Sequence, residues 1–284
     1  MGAQKDPSLN RRMVRLALRK ARETEGMTQV DAARDMEWSL SKIIRIENGT
    51  SGLSMTDLRA LLMLYGVTDP GEVADLEEAA RHSKSQSWWA PFNDVISQGF
   101  SRYLGYESAA DSIQGYHPSR LPGHVQTEDY AGALLSAGSS PGSGQRRLEL
   151  HMARQERVLD EDGPRVEMVL DEAALRRQVG GPELMIRQLE FLKELSVRGR
   201  ADLRVLPFRS GALSSLDRSF VILGFRDEED ALCLTEPEGT FAVSDEQELL
   251  SHYQDCFADL RSRTLSEPDS LTLIDDLAEE FRRV

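Results

Sequence analysis

Polar and apolar positions follow a helical period through most of the first 82 residues. Over 9–24, Leu9, Met13, Leu16, Ala17 and Ala21, with Lys20, recur three and four apart, predicting a helix that Gly26 ends. Thr28, followed three residues later by Asp31, resembles a capping box with Asp in place of Glu, so a second helix is expected over 29–35. Met36-Glu37-Trp38 makes a turn. Ser39 caps a third helix, whose apolar face is Leu40, Ile43, Ile44 and Ile46 and which Gly49 stops. Ser54 with Asp57 opens a fourth helix over 55–65, carrying Leu58, Leu61, Leu62 and Leu64, and Pro70 opens a fifth that runs to His82.

Beyond this region the pattern mixes periods. Residues 81–87, R-H-S-K-S-Q-S, are polar and read as a linker, followed by W-W-A-P-F. Two adjacent tryptophans, Trp88 and Trp89, suit a domain junction or a ligand. Helices are expected over 92–104, 127–137, 147–159, 171–177 and 183–198, and strands over 109–116, 166–170, 203–206, 220–225 and 231–235. The last two strands form a hairpin around 227–230. S-A-G-S-S-P-G-S-G-Q, 136–145, reads as a flexible loop by composition. Ser244 with Gln247 caps a helix to Arg263, and a final helix covers 270–283. The division is therefore an all-α domain of five helices over 1–82, a junction over 83–92, and a larger α/β or α+β domain with one mixed sheet over 93–284.

Composition changes this picture in two respects. The net charge is −14, yet residues 1–66 hold 11 basic and 8 acidic side chains, while the remainder holds 23 basic and 40 acidic. Arg11, Arg12, Arg15, Arg19, Lys20 and Arg22 cluster on the first helix. An acidic body repels phosphate and confines any nucleic-acid contact to the N-terminal face. The N-terminal segment lacks a signal peptide's apolar core, and no apolar run approaches the roughly 18 to 20 residues of a membrane span. Both point to the cytoplasm, or to the nucleoid when DNA is bound, with no membrane partner. Cys233 and Cys256 form no C-x-x-C pair, so neither a zinc site nor a disulfide framework is expected.

The second and third helices form a tight pair of the kind that presents a helix to the DNA major groove. Ser39, Leu40, Ser41 and Lys42 occupy its first turns, where short side chains let the backbone approach base edges. Arg45, one turn after Ser41, has the reach for guanine O6 and N7, and Leu40 suits a thymine methyl. Thr28 and Gln29 stand at a helix N-terminus that favours a phosphate, and Asn48 and Thr50 flank the same strand. Glu47 is expected to pair internally with Arg22.

The larger domain shows no H-E-x-x-H, nucleophile elbow or phosphate loop, so catalysis, a metal and a cofactor are not expected. Arg154 and Arg157 flank Glu156; they either pair internally with Asp171 or Glu172 or point into a cavity, where they would suit an anionic ligand. His124 either faces water or lines a pocket.

G-x-T-Q, followed eighteen residues after the Gln by E-N-G, resembles the XRE family of helix-turn-helix regulators over residues 9–66. The resemblance implies a lambda-repressor-like fold. It maps a phosphate-contacting Gln onto Gln29, groove-facing positions onto Ser39, Leu40, Ser41, Lys42 and Arg45, and an internal pair onto Arg22 and Glu47. Leu40 departs from the polar residue of many relatives. W-W-x-P-F, L-P-G-H-V-Q-T-E-D-Y-A, R-Q-E-R-V-L, V-L-D-E-A-A-L-R-R-Q-V-G and V-L-P-F resemble, in that order, a group of actinobacterial regulators that join such a head to an antitoxin-like domain. There His124 replaces a usual Leu. The resemblance implies a transcriptional regulator, a homodimer on a palindromic operator, sensing a small molecule or small partner protein through Trp88, Trp89, His124, Arg154 or Arg157. The alternative is an antitoxin-like protein that neutralises a small partner and regulates its own operon.

Overall fold

The computed structural model describes residues 7–48, 52–83, 86–138, 141–212, 218–226, 230–235, 241–244 and 246–283. The chain divides into two compact units, Met1–Trp88 and Trp89–Val284.

The first unit is helical: α1 (Pro7–Thr24), α2 (Gln29–Asp35), α3 (Leu40–Glu47), α4 (Met55–Leu64) and α5 (Pro70–His82). Its helices start where a side-chain oxygen meets an orphan N–H. Thr28, Ser39, Ser54 and Asp69 accept from the N–H of Asp31, Lys42, Asp57 and Glu72. Val14, Leu18, Ile43, Ile46, Leu58, Leu61, Leu62 and Leu76 form its core. The expected stripe of α1 is displaced: Val14 and Leu18 are buried, while Met13, Ala17 and Ala21 are only partly so. Because α1 touches α3, α4 and α5, its buried arc is wider than one stripe. Gly49 lies outside the described residues.

The second unit contains α6 (Gln98–Glu107), β1 (Ser112–His117), α7 (Glu128–Gly138), α8 (Pro141–Val158), β2 (Arg165–Asp171), α9 (Glu172–Arg176), α10 (Pro182–Val197), β3 (Asp202–Leu206), β4 (Phe220–Gly224), β5 (Ala231–Thr235), β6 (Phe241–Ser244), α11 (Gln247–Ser262) and α12 (Glu267–Arg282). One mixed six-stranded sheet runs β3-β2-β1-β4-β5-β6. β1, β2 and β3 are parallel, and β4, β5 and β6 continue antiparallel from β1. On one face Ile113, Met168, Leu170 and Val205 pack with Tyr103, Tyr130, Leu189 and Leu277. On the other, Tyr116, Val169, Phe220 and Leu232 pack on Leu250, Tyr253, Phe257 and Leu260 of α11. Covering both faces buries Val166–Leu170 without a break, the carboxylate of Glu167 included, so the strand shows no in-and-out alternation of burial.

Several boundaries differ from expectation. Residues 92–104 do not form one helix: Ala90–Phe92 is a short 3-10 turn, and α6 starts at Gln98, where Ser97 Oγ accepts from Phe100 N at 3.1 Å. β1 begins three residues later than the expected strand. Much of the expected 136–145 loop is helical, with α7 running to Gly138 and α8 opening at Pro141, a residue suited to a first helical turn; Ser139 and Ser140 lie outside the described residues. Ser244 ends β6 instead of capping α11, whose N-cap is Glu246. α12 begins earlier than expected because Ser266 Oγ accepts from Asp269 N at 3.3 Å. β6 has no counterpart in the expected elements, and residues 227–229 of the β4–β5 turn lie outside the described residues. Both cysteines are buried and free. Among the described residues no helix is long and apolar enough to cross a membrane.

Candidate nucleic-acid interface

α3 is strongly two-faced. Ile43, Ile46 and Glu47 are buried, whereas Ser39, Leu40, Ser41, Arg45 and Asn48 are exposed. Ser41, Arg45 and Asn48 lie four and three residues apart, on one stripe. Arg45 Nε donates to Ser41 O at 3.2 Å, which lays the guanidinium along the exposed side. Lys42 is held differently from its groove-facing neighbours. Its Nζ is 3.3 Å from Asp57 Oδ2 and 3.3 Å from the Trp38 ring centroid, so it ties α3 to α4 and to the turn. Thr50 lies outside the described residues.

The turn between α2 and α3 is a Schellman closure. Trp38 N donates to Ala33 O at 2.8 Å and Glu37 N to Arg34 O at 3.0 Å. This geometry puts the residue after the cap in the left-handed region, where Gly26 and Gly66 sit at the corresponding ends of α1 and α4. Here the residue is Glu37, with φ 54°. A side chain in that region costs about 1 kcal/mol or more. Glu37→Gly is therefore expected to stabilise the unit by up to about 1 kcal/mol in urea denaturation, reduced by the added freedom of the unfolded chain. A destabilisation of that size would show that the Glu37 side chain makes a compensating contact.

The inner end of α3 is anchored by charge. Arg22 Nε donates to Glu47 Oε1 at 2.6 Å and Arg22 Nη2 to Glu47 Oε2 at 3.0 Å, a two-point pair, with Arg22 Nη1 on Met27 O at 2.7 Å. Gln29 Nε2 donates to Glu47 Oε2 at 2.8 Å, and Arg15 Nη1 reaches Glu47 O at 3.3 Å. The Glu47 hydrogen bond raises Arg22 above the usual guanidinium value, and burial with Glu47's charge pushes the Tyr65 hydroxyl up to about 12. Gln29 thus spends its amide on Glu47, while its backbone stays at the start of α2. Thr28 is exposed, but its N–H and hydroxyl are engaged with Asp31 Oδ2 at 3.1 and 2.6 Å; these two bonds hold the Asp31 carboxyl below its usual range. Arg12, Arg15 and Arg22 are buried, so half of the six basic residues read as a charged surface on α1 lie inside.

In the second unit the structure brings together His124 and Arg154 but not the other expected residues. Arg154 does not pair with Asp171 or Glu172. Asp171 instead accepts from Tyr116 OH and caps α9, and Glu172 binds Arg176 and Phe208 N. Arg154 meets Glu107 of α6: Nε to Oε2 and Nη2 to Oε1, both 2.6 Å, with Nη2 2.9 Å from Tyr103 OH. Tyr103 OH and His124 Nε2 each lie 2.5 Å from Glu107 Oε1. Burial pushes the Glu107 carboxyl up, but Arg154 and His124 outweigh it and hold it well below the usual range. Arg157 is exposed, with Nη1 on Ala153 O at 3.1 Å. Trp89 is buried in the second unit with Nε1 on Ser101 Oγ at 3.0 Å, and the half-buried Trp88 closes the first unit's span.

Glu107 was not among the expected residues. Its signal is the spacing Tyr103–Glu107, which sets a carboxylate on the apolar face of a helix. Three glutamines also went unremarked. Gln188 Nε2 donates to Val125 O, Gln155 Nε2 to His124 O and Gln126 O, and Gln126 Nε2 to Leu121 O, at 2.6–2.9 Å. They pin the 121–127 loop that carries His124.

Residues 15–76 match a helix-turn-helix domain, which spans α2 and α3. No curated protein and no solved structure matches the chain. Residues 100–276 match a domain of unknown function (DUF5753), covering the second unit from α6 into α12. With more than half its length in that match, the chain belongs to the DUF5753 family and carries a helix-turn-helix domain at its N-terminal end.

Proposed function

We propose that the protein is a sequence-specific DNA-binding transcriptional regulator of the XRE type. The observation that carries this reading is α3: Ser39, Leu40, Ser41, Arg45 and Asn48 are exposed on a helix whose opposite side is locked to the core by Ile43, Ile46 and Glu47. A rigid helix whose outer side carries two serines, an asparagine, an arginine and a leucine fits the major groove, with Arg45 on a guanine and Leu40 near a thymine methyl. The exposed N-terminus of α2 at Thr28 and Gln29 supports a backbone contact to phosphate. On this reading the protein acts as a homodimer on half-sites about one helical turn apart. The acidic second unit receives a signal from a small molecule or partner protein and acts by binding rather than catalysis.

Fluorescence anisotropy of the chain on DNA from its own upstream region, against scrambled DNA across a salt series, tests the reading. Log affinity is expected to fall by about 0.9 per phosphate neutralised for each decade of salt. Arg45→Ala is expected to cost about 1–3 kcal/mol on the specific sequence and little on scrambled DNA. Unchanged discrimination would remove Arg45 from the interface.

A further inference from the structure

We infer that the carboxyl end of β1 is a binding site for a small oxyanion, received by Arg120 and by the ring nitrogens of His117, His124 and His151. The inference rests on the second unit being the receiving unit and names the chemistry of what it receives.

Three ring nitrogens there, His117 Nδ1, His124 Nδ1 and His151 Nε2, are shielded from solvent and have no hydrogen-bond partner. Buried polar atoms are seldom left unmet, and three such atoms from different elements point to a missing hydrogen-bonding molecule. His117 ends β1, His124 sits in the following loop and His151 on α8. They are close enough to feel one another. Burial, Arg120, His124 and Arg154 push His117 down to about 3; burial, Arg154 and His124 push His151 down to about 4. Gly123 lies between: a Cβ on it would stand 3.3 Å from both Arg154 Nη1 and His151 Cε1.

The location has its own logic. β2 pairs on one side of β1 and β4 on the other, and the chain crosses from β3 to β4 to get there. Because β4 runs antiparallel, the carboxyl end of β1 lies beside the amino end of β4, with Tyr116 opposite Phe220. Charge selects the ligand's sign. Glu107 and Arg154 neutralise each other, which leaves the positive charge of Arg120 bearing on His117 and His151. Among the described residues no three His, Cys, Asp or Glu side chains are arranged to hold a metal. His124 Nε2 lies 2.5 Å from Glu107 Oε1 and 2.7 Å from Arg154 Nη2, so both contacts fall on that nitrogen and Nδ1 is the one left to meet a ligand. A ligand that fits brings oxygens to the nitrogens of His117, His124 and His151 and a negative charge to Arg120: a phosphate group or a small hydroxycarboxylate. The three buried glutamines hold the loop in place beforehand, so little ordering accompanies binding.

The test uses the full chain, isotope-labelled in its histidine rings, titrated with inorganic phosphate, with glycolate, and with chloride at matched ionic strength. Ring nitrogens are followed by NMR, and DNA affinity by anisotropy in the same solutions. Phosphate or glycolate is expected to shift the three nitrogens saturably, and whichever saturates identifies the oxyanion. Arg120→Gln, at an exposed position, is expected to weaken that anion about tenfold, the scale of one charge-assisted hydrogen bond. Gly123→Ala is expected to weaken it as well. Shifts no larger than with chloride in both titrations overturn the site. Saturable shifts that leave DNA affinity unchanged support the site and overturn the receiving role of the unit.

Discussion

Replacing Glu107 by alanine is expected to cost the second unit about 3–5 kcal/mol, because it leaves the guanidinium of Arg154 buried without its counter-charge. Arg154 is largely buried, and two of its three nitrogens point at the Glu107 carboxylate. The same change takes the acceptor from Tyr103 OH and His124 Nε2. Urea denaturation followed by fluorescence in a Trp38→Phe, Trp88→Phe background, where Trp89 of the second unit reports, measures the loss. The double replacement Glu107→Leu with Arg154→Leu is expected to recover most of it, since an apolar pair leaves nothing uncompensated. A loss below about 1 kcal/mol for Glu107→Ala would mean that water or another acceptor reaches Arg154.

Glu47→Ala is expected to cost the first unit a similar amount, about 3–5 kcal/mol, for the same physical reason. Glu47 receives Arg22 at two points and Gln29 at a third, and its side chain is 4% exposed. Arg22→Ala is expected to be milder, because Gln29 Nε2 still satisfies one carboxylate oxygen. Glu47→Gln keeps the shape and loses the charge, and should fall between the two. Thermal unfolding by circular dichroism gives the ranking. If Arg22→Ala proves the more damaging, the hydrogen bond from Arg22 to Met27 O, rather than the ion pair, is the anchor.

What could be read from the chain follows the range of each signal. Caps are local, so Thr28, Ser39 and Ser54 marked helix starts that the structure contains. The expected Arg22–Glu47 pair spans 25 residues but lies within one small helical motif. Gln29's bond to Glu47 and Lys42's to Asp57 were not legible, because each side chain has an equally good solvent conformation and only packing chooses between them. Glu107 and Arg154 are 47 residues apart and join only when α6 and α8 meet over the sheet. β6 is four residues long, below the length at which a period shows. The mixed sheet was foreseen, whereas its order was not, since pairing of β1 with β4 depends on nothing near either strand.

That pairing sets a timetable for synthesis. Ser112 of β1 meets Gly224 of β4, so the middle of the sheet cannot close until more than a hundred further residues have left the ribosome. The first unit needs nothing beyond Trp88 to complete its own core. At about 5–20 residues per second, its helices are formed roughly 10 s or more before the second unit can close around α11 and α12. For that interval the nascent chain carries a finished helix-turn-helix domain ahead of an open sheet, and chaperones that guard unpaired strands have their work on the later half alone.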